Sequence, residues 1–197
     1  MLVETIGRIS AQDLHRAALK DRGKIDRLFL HWTAGHYNQV YSDYHVNISH
    51  EGNVFLTYES LADNKCHTKF HNSRAVGIAM DCAAGAVLNK ALFPGKVNFG
   101  KEPPTLVQIE TLAKVIAILT DALDLEILAS TVTTHAEIAN QDGYGPTNHA
   151  QADGDWRWDL WFLPCVERSN TKFVMGGKYI RDKARWYREH YFRNLFK

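Results

Sequence analysis

The sequence predicts one α/β domain built on a mixed central β-sheet flanked by helices, and three features of the chain predict it. Residues 75–80 (Ala-Val-Gly-Ile-Ala-Met) are apolar throughout, the pattern of a central strand covered on both faces. Two strand-like runs, 44–49 and 54–58, flank His50, Glu51, Gly52 and Asn53 in a hairpin pattern. Helical stretches at 105–124 and 179–196 alternate with the strands, which calls for a layered α/β architecture. The chain has 197 residues, enough for one core without disulfide staples.

In chain order, residues 10–22 open on a capping serine and stop before Gly23, which predicts a short helix. Residues 26–32 read as a buried strand that ends at Thr33, Ala34 and Gly35. Beyond the hairpin and central strand, Gly85, Pro94, Gly95, Gly100, Pro103 and Pro104 mark 85–104 as a long loop or insertion. The clearest helix is 105–124. Thr105 and Gln108 form a capping box, and Leu106, Ile109, Leu112, Ala113, Ile116 and Leu123 recur at helical spacing. Residues 130–135 are β-branched and predict another strand. Residues 140–157 are turn-rich, and 179–196 read as an amphipathic helix carrying Arg181, Lys183, Arg185, Arg188 and Arg193. There is no internal repeat and no low-complexity tract.

Composition narrows the function classes. Hydrophobic residues make up 45% and charged residues 23%, which excludes wholesale disorder. Lys+Arg 23 against Asp+Glu 22 leaves a formal net charge of +1, without the basic excess of a nucleic-acid-binding protein. No apolar run is long enough for a membrane span. The first residues lack the basic start and apolar core of a secretory signal, so the expectation is a protein of the producing cell's cytoplasm, released by another route. Cys66, Cys82 and Cys165 are scattered and odd in number, which points to a reduced compartment. The outstanding feature is 10 His and 5 Trp in so short a chain.

Two of those histidines stand where strands end, His31 after Leu30 and His135 after Thr134. A strand terminus opening into a loop is a rigid place for a metal ligand that leaves a coordination position free. Asp159 is a third candidate, and in an extended segment Arg157, two residues away, projects to the same side. A metal-binding carboxylate beside a fixed cation suits amide hydrolysis, where a metal polarises the carbonyl and activates water while the cation stabilises the oxyanion.

The order of the pieces adds to this. The run 28–35 (Leu-Phe-Leu-His-Trp-Thr-Ala-Gly) comes first, then 43–48 (Asp-Tyr-His-Val-Asn-Ile) with 51–55. His67 with Asn72 and 76–78 come next, then the Thr105 helix, 134–139 (Thr-His-Ala-Glu-Ile-Ala), and Arg157 with Asp159. This series resembles the zinc-dependent N-acetylmuramoyl-L-alanine amidases of the peptidoglycan-recognition-protein fold, the type 2 amidases, which include phage lysozymes of the amidase kind. The resemblance covers roughly residues 26–165. It implies hydrolysis of the amide between the lactyl group of N-acetylmuramic acid and L-alanine of the stem peptide, in a groove over a mixed sheet. It implies His31, His135 and Asp159 as zinc ligands, and Tyr44 as the tyrosine that hydrogen-bonds the zinc water or the substrate carbonyl. His67, Trp32 and Asn72 are the implied substrate-binding residues. Other branches carry a catalytic glutamate where this chain has Ala79; Asp81, two residues on, is a weaker candidate for that face. Arg157 departs from the family's lysine, which restricts it to an electrostatic role. On this reading 1–25 is a helical lead-in, 26–165 the catalytic domain and 166–197 a basic C-terminal helix. The partner is peptidoglycan or a muropeptide, met by a monomer.

Competing readings stand beside it. His67 serves equally as a structural hydrogen-bonding residue, and Trp32, Trp156 and Trp158 either stack on sugar rings or pack, while Trp161 belongs in the core. His45 alternates with Tyr44 and points away from its face, His36, His50, His71 and His149 lie in loops, and Cys66 reads as a buried free thiol. The basic face of the last helix either meets an anionic polymer or is solvated, with Tyr187, Tyr191 and Leu195 docking the helix. At the level of function the alternatives are a non-catalytic wall-binding module, a cytosolic muropeptide-recycling amidase, and a zinc hydrolase of another amide. Metal binding separates the first from the rest, and product analysis the last.

Overall fold

Helix α1 (Ala11–Leu19) starts at Ser10, whose hydroxyl accepts the Asp13 N–H. Five strands then build the main sheet: β1 (Arg27–Trp32), β2 (Val46–Ile48), β3 (Val54–Leu56), β4 (Ala75–Met80) and β7 (Val132–Thr134), in the order β3-β2-β4-β1-β7. The structure, a computed structural model, describes residues 8–88, 97–148, 156–164 and 173–190. Cys165, His149, Tyr191, Arg193 and Leu195 lie outside them, as do parts of the 85–104 and 140–157 segments. Within 85–104 the described residues form a small hairpin of β5 (Val87–Leu88) and β6 (Val97–Asn98). The chain continues through α2 (Leu106–Leu123), α3 (His135–Gln141), an unforeseen hairpin of β8 (Phe162–Pro164) and β9 (Phe173–Met175), and α4 (Gly176–His190).

The sheet is mixed as expected. β1 pairs in parallel with β4 and β7, β2 in parallel with β4, and β2 with β3 as the antiparallel hairpin, where Gly52 takes the left-handed φ of +81°. Alternation along β1 defines two faces. Leu28, Leu30 and Trp32 join Val76, Ile78 and Met80 of β4 under Ile109, Leu112 and Ile116 of α2, together with Leu14 of α1 and Ile180 of α4. Phe29 and His31 go to the opposite face, where Ile138 of α3 covers Phe29. His31 is in register with Ala79 of β4.

Two boundaries differ from the periodicity, both for local reasons. β2 begins at Val46, so Tyr44 and His45 precede the strand and do not alternate within it. β7 ends at Thr134 because Thr134 caps α3: its side chain accepts the Glu137 N–H while Glu137 accepts the Thr134 N–H. His135 is therefore the first residue of a helix. The Thr-x-x-Glu capping box at 134–137 was the signal for it.

The α2 capping box has a second function. Gln108 Oε1 accepts the Thr105 N–H at 3.1 Å, and its Nε2 donates to the carbonyls of Ile48 at 3.1 Å and Asp81 at 3.0 Å. One fully buried amide thus ties the start of α2 to the ends of β2 and β4. Gln108→Ala strands the Asp81 carbonyl, leaves the Ile48 carbonyl with only the Asp81 N–H and opens the cap, and is expected to cost about 2 kcal/mol, within the roughly 1–3 kcal/mol of one stranded group. Urea denaturation measures the loss.

Candidate active site

The described residues hold one cluster fit for a metal ion: His31, His135 and Asp159, whose ligand atoms lie within 4.8 Å of one another. β1 delivers His31, the first turn of α3 delivers His135, and a turn after Arg157 delivers Asp159, with Leu160 at a φ of 58°. Asp159 Oδ2 is 3.5 Å from His31 Nδ1 and 3.4 Å from His135 Nδ1. Donors held on a tetrahedral zinc at about 2.0–2.1 Å are separated by roughly 3.4 Å. His31 Nδ1, the nitrogen that stands 3.5 Å from Asp159, is buried without a hydrogen-bond partner, a state that costs free energy unless a ligand satisfies it. Donor set, spacing and this orphaned nitrogen fit a metal.

Charge states agree. Burial pulls His31 down to about 4, against the opposing pull of Asp159, so its imidazole is neutral at pH 7 as ligation requires. Burial raises Asp159, but His135 and His31 outweigh it and hold the carboxyl below its ordinary range.

The surrounding groups are ordered by this cluster. Thr68 Oγ1 lies 3.3 Å from His31 Nε2 and 2.9 Å from His67 Nδ1. The His67 ring lies flat on Gly77, where a Cβ would come within 2.6 Å of its Cγ, so only glycine leaves room for it. His45, expected to point away, is packed behind His67 with ring centroids 5.6 Å apart, and its Nδ1 accepts the Gly77 N–H. The Tyr44 ring centroid is 5.0 Å from that of His31, and burial, then Asp159, raises its hydroxyl, which stays protonated. A cavity of about 290 Å³ opens beside the cluster, lined by His67, Thr68, Lys69, Asn72, His135, Tyr144 and Arg157. Asp159 reaches the site from a turn that Arg157 precedes, so the two do not lie in one extended segment as their spacing suggested.

Several expectations need correction. Trp32 does not face substrate: it is 3% exposed on the helix-covered face, packed on Trp158 with centroids 4.8 Å apart, because His31 next to it takes the other face. Asn72 does line the cavity, and its Oδ1 also accepts the N–H groups of His67 and Thr68, which holds the loop. Cys66 is exposed rather than buried, and Trp161 is half-buried with its Nε1 unpartnered. Asp81 is fully buried with neither oxygen hydrogen-bonded, and burial pushes it up to about 8.

The end of β1, the start of α3 and the turn after Arg157 bring two imidazoles and a carboxylate together, with Tyr44 against His31 and the Arg157 guanidinium in the adjoining cavity, a set of groups that suits amide hydrolysis. The chain belongs to the N-acetylmuramoyl-L-alanine amidase family, whose model matches residues 21–150. That span holds His31, Tyr44, His67 and His135; Arg157 and Asp159 follow it. Comparison with curated proteins found no match. Among solved structures, the chain is similar to the endolysin N-acetylmuramoyl-L-alanine amidase LysCS from Clostridium intestinale URNW, at 18% identity and a TM-score of 0.39, covering 57% of this chain and 69% of that one. It is also similar to PGRP-Hd from Alvinella pompejana, at 19% identity and a TM-score of 0.37, covering 57% and 73%.

Asp81 gives a pH prediction. Its folded-state value of about 8 lies above the ordinary 3.8, so the native protein keeps a proton that the unfolded chain releases, and stability falls as pH rises between those values. Asp81→Asn, isosteric with the neutral acid, is expected to be more stable than the parent at pH 8 and to lose that advantage near pH 4. Denaturation at the two pH values checks it.

Proposed function

We propose that the chain is a zinc-dependent N-acetylmuramoyl-L-alanine amidase, cutting the amide between the lactyl group of N-acetylmuramic acid and L-alanine in peptidoglycan. The observation that carries this is the His31–His135–Asp159 cluster beside Tyr44 in a chain of the amidase family. Bound there, zinc supplies a Lewis acid for the amide carbonyl and a water acidified for attack.

The chain's own residues do the rest. With His31 Nδ1 on the metal side, its proton resides on Nε2 and is donated to Thr68 Oγ1, whose hydrogen passes to His67 Nδ1. That relay fixes the His31 tautomer and ring orientation. Tyr44, held protonated, donates to the oxygen on which negative charge develops as the carbonyl is attacked. Arg157 is permanently charged and lines the cavity, so its contribution is electrostatic. Ala79 lies in register with His31 and offers no carboxylate, which leaves Tyr44 as the hydrogen-bonding group at that site.

The setting we propose is a phage or prophage lysin, made in the cytoplasm and acting on the wall after release by another route. A recycling amidase would instead favour soluble muropeptides over intact sacculi, and rates on the two substrates separate these roles.

Digestion of purified peptidoglycan, followed by mass spectrometry, tests the reaction. Free stem peptides beginning with L-alanine are expected, abolished by chelation and restored by zinc; intact muropeptides from zinc-loaded protein would refute the assignment. His31→Ala and Asp159→Ala are expected to lose zinc and activity together. Tyr44→Phe is expected to keep zinc while kcat drops about 10²-fold or more, the size of effect of one oxyanion donor.

A further inference from the structure

Helix α4 lies beyond the residues that the family model matches, yet it is wired into the segment that carries His135. Arg181 is only 7% exposed. Its Nη1 donates to the Val132 carbonyl at 3.0 Å and to Glu137 Oε2 at 2.8 Å, while Nη2 donates to Glu137 Oε1 at 2.8 Å. Glu137 Oε2 also accepts the Thr134 N–H at 2.9 Å. One guanidinium therefore grips the end of β7 directly and the start of α3 through Glu137, on both sides of the peptide that presents His135.

Two further details point the same way. Gly177, one turn before Arg181 on α4, passes so close to Glu137 that a Cβ there would lie 2.2 Å from Oε1. A helix merely packed on the core would not need both a glycine and an arginine aimed at one carboxylate. The Ala136 N–H also donates to the Asp159 carbonyl at 3.3 Å, so the same junction bears on a second donor of the cluster. The neighbouring basic residues of α4 do other work. Arg185 donates to the Ile127 carbonyl and Arg188 to the Leu125 carbonyl, both in the connection between α2 and β7, and Lys183 pairs with Glu110.

We propose that Arg181 is a positioning residue for the metal centre: acting through Glu137, it sets the β7–α3 junction and so the placement of His135 relative to His31 and Asp159. This rests on the metal reading above. Metal sites tolerate ligand displacements of about 0.2 Å, and losing a partner that orients a ligand weakens metal binding about 10- to 100-fold.

The test is cobalt(II) titration of the full chain against a competing chelator, read by visible absorption, on the parent, Arg181→Met, Arg181→Lys, Glu137→Gln and Arg185→Met. Arg181→Met is expected to bind cobalt about 10- to 100-fold more weakly with an altered absorption band, and Arg181→Lys to recover part of the loss. Arg185→Met, which frees the same helix from a carbonyl without touching Glu137, is expected to bind as the parent does. If Arg181→Met does not fold, Glu137→Gln decides: it keeps an oxygen for the Thr134 N–H but loses the ion pair, and is expected to bind about 10-fold more weakly. Parent-like affinity in Arg181→Met or Glu137→Gln, or an equal loss in Arg185→Met, overturns the inference alone. A parent that binds no cobalt overturns the metal reading and this inference with it.

Discussion

Strand β1 is hydrogen-bonded on both edges, to β4 and β7, and packed on both faces, so its two-residue alternation has no slack. Leu28, Leu30 and Trp32 serve the layer under α2, and Phe29 and His31 serve the other side. A slip of one residue would bury the imidazole among aliphatic side chains and turn Trp32 toward the cavity. Much of the site follows from this register. Ala79 is placed beside His31, and Gly77 beside Phe29 leaves space for the His67 ring that steadies His31 through Thr68. The helix layer is tied to the same strand ends by Gln108.

One largely buried and one wholly buried carboxyl group of this domain show how environment assigns charge. Asp159 meets two imidazoles and is held ionised, although burial alone would neutralise it. Asp81 is buried without a hydrogen bond and, among the described residues, without a compensating cation, and is pushed up to about 8. The difference is a matter of neighbours, since a carboxylate in low dielectric survives only where opposite charge or donors compensate its lost hydration. The same reasoning explains why His31 remains neutral and why the Tyr44 hydroxyl stays protonated, which gives the site acceptor nitrogens on one side and a donor on the other.

The basic face of the C-terminal helix shows where a one-dimensional reading stops. Arg181, Arg185 and Arg188 recur as a helical face is expected to, and such a face normally means solvent or a polyanion. Here those arginines are satisfied by carbonyls and by Glu137. Nothing in their spacing distinguishes the cases, because Glu137 and the carbonyls they reach lie some 44–63 residues away in sequence. Trp32 is the converse: its neighbour His31 was legible as a site residue, and alternation already implied that the two could not share a face.

By itself the sequence determined what local rules govern. These are the mixed sheet, the hairpin at Gly52, the α2 cap at Thr105 and Gln108, and the residues His31, His135, Asp159 and Tyr44 that carry the family resemblance. A capping box or an alternating strand is written in a few adjacent side chains, so it can be read without the fold. Only the tertiary structure decided that His135 and Asp159 converge on His31, that Asp81 is buried alone, and that Arg181 reaches the α3 cap. Those are distances between elements far apart in sequence, set by how layers pack, and no local pattern encodes them.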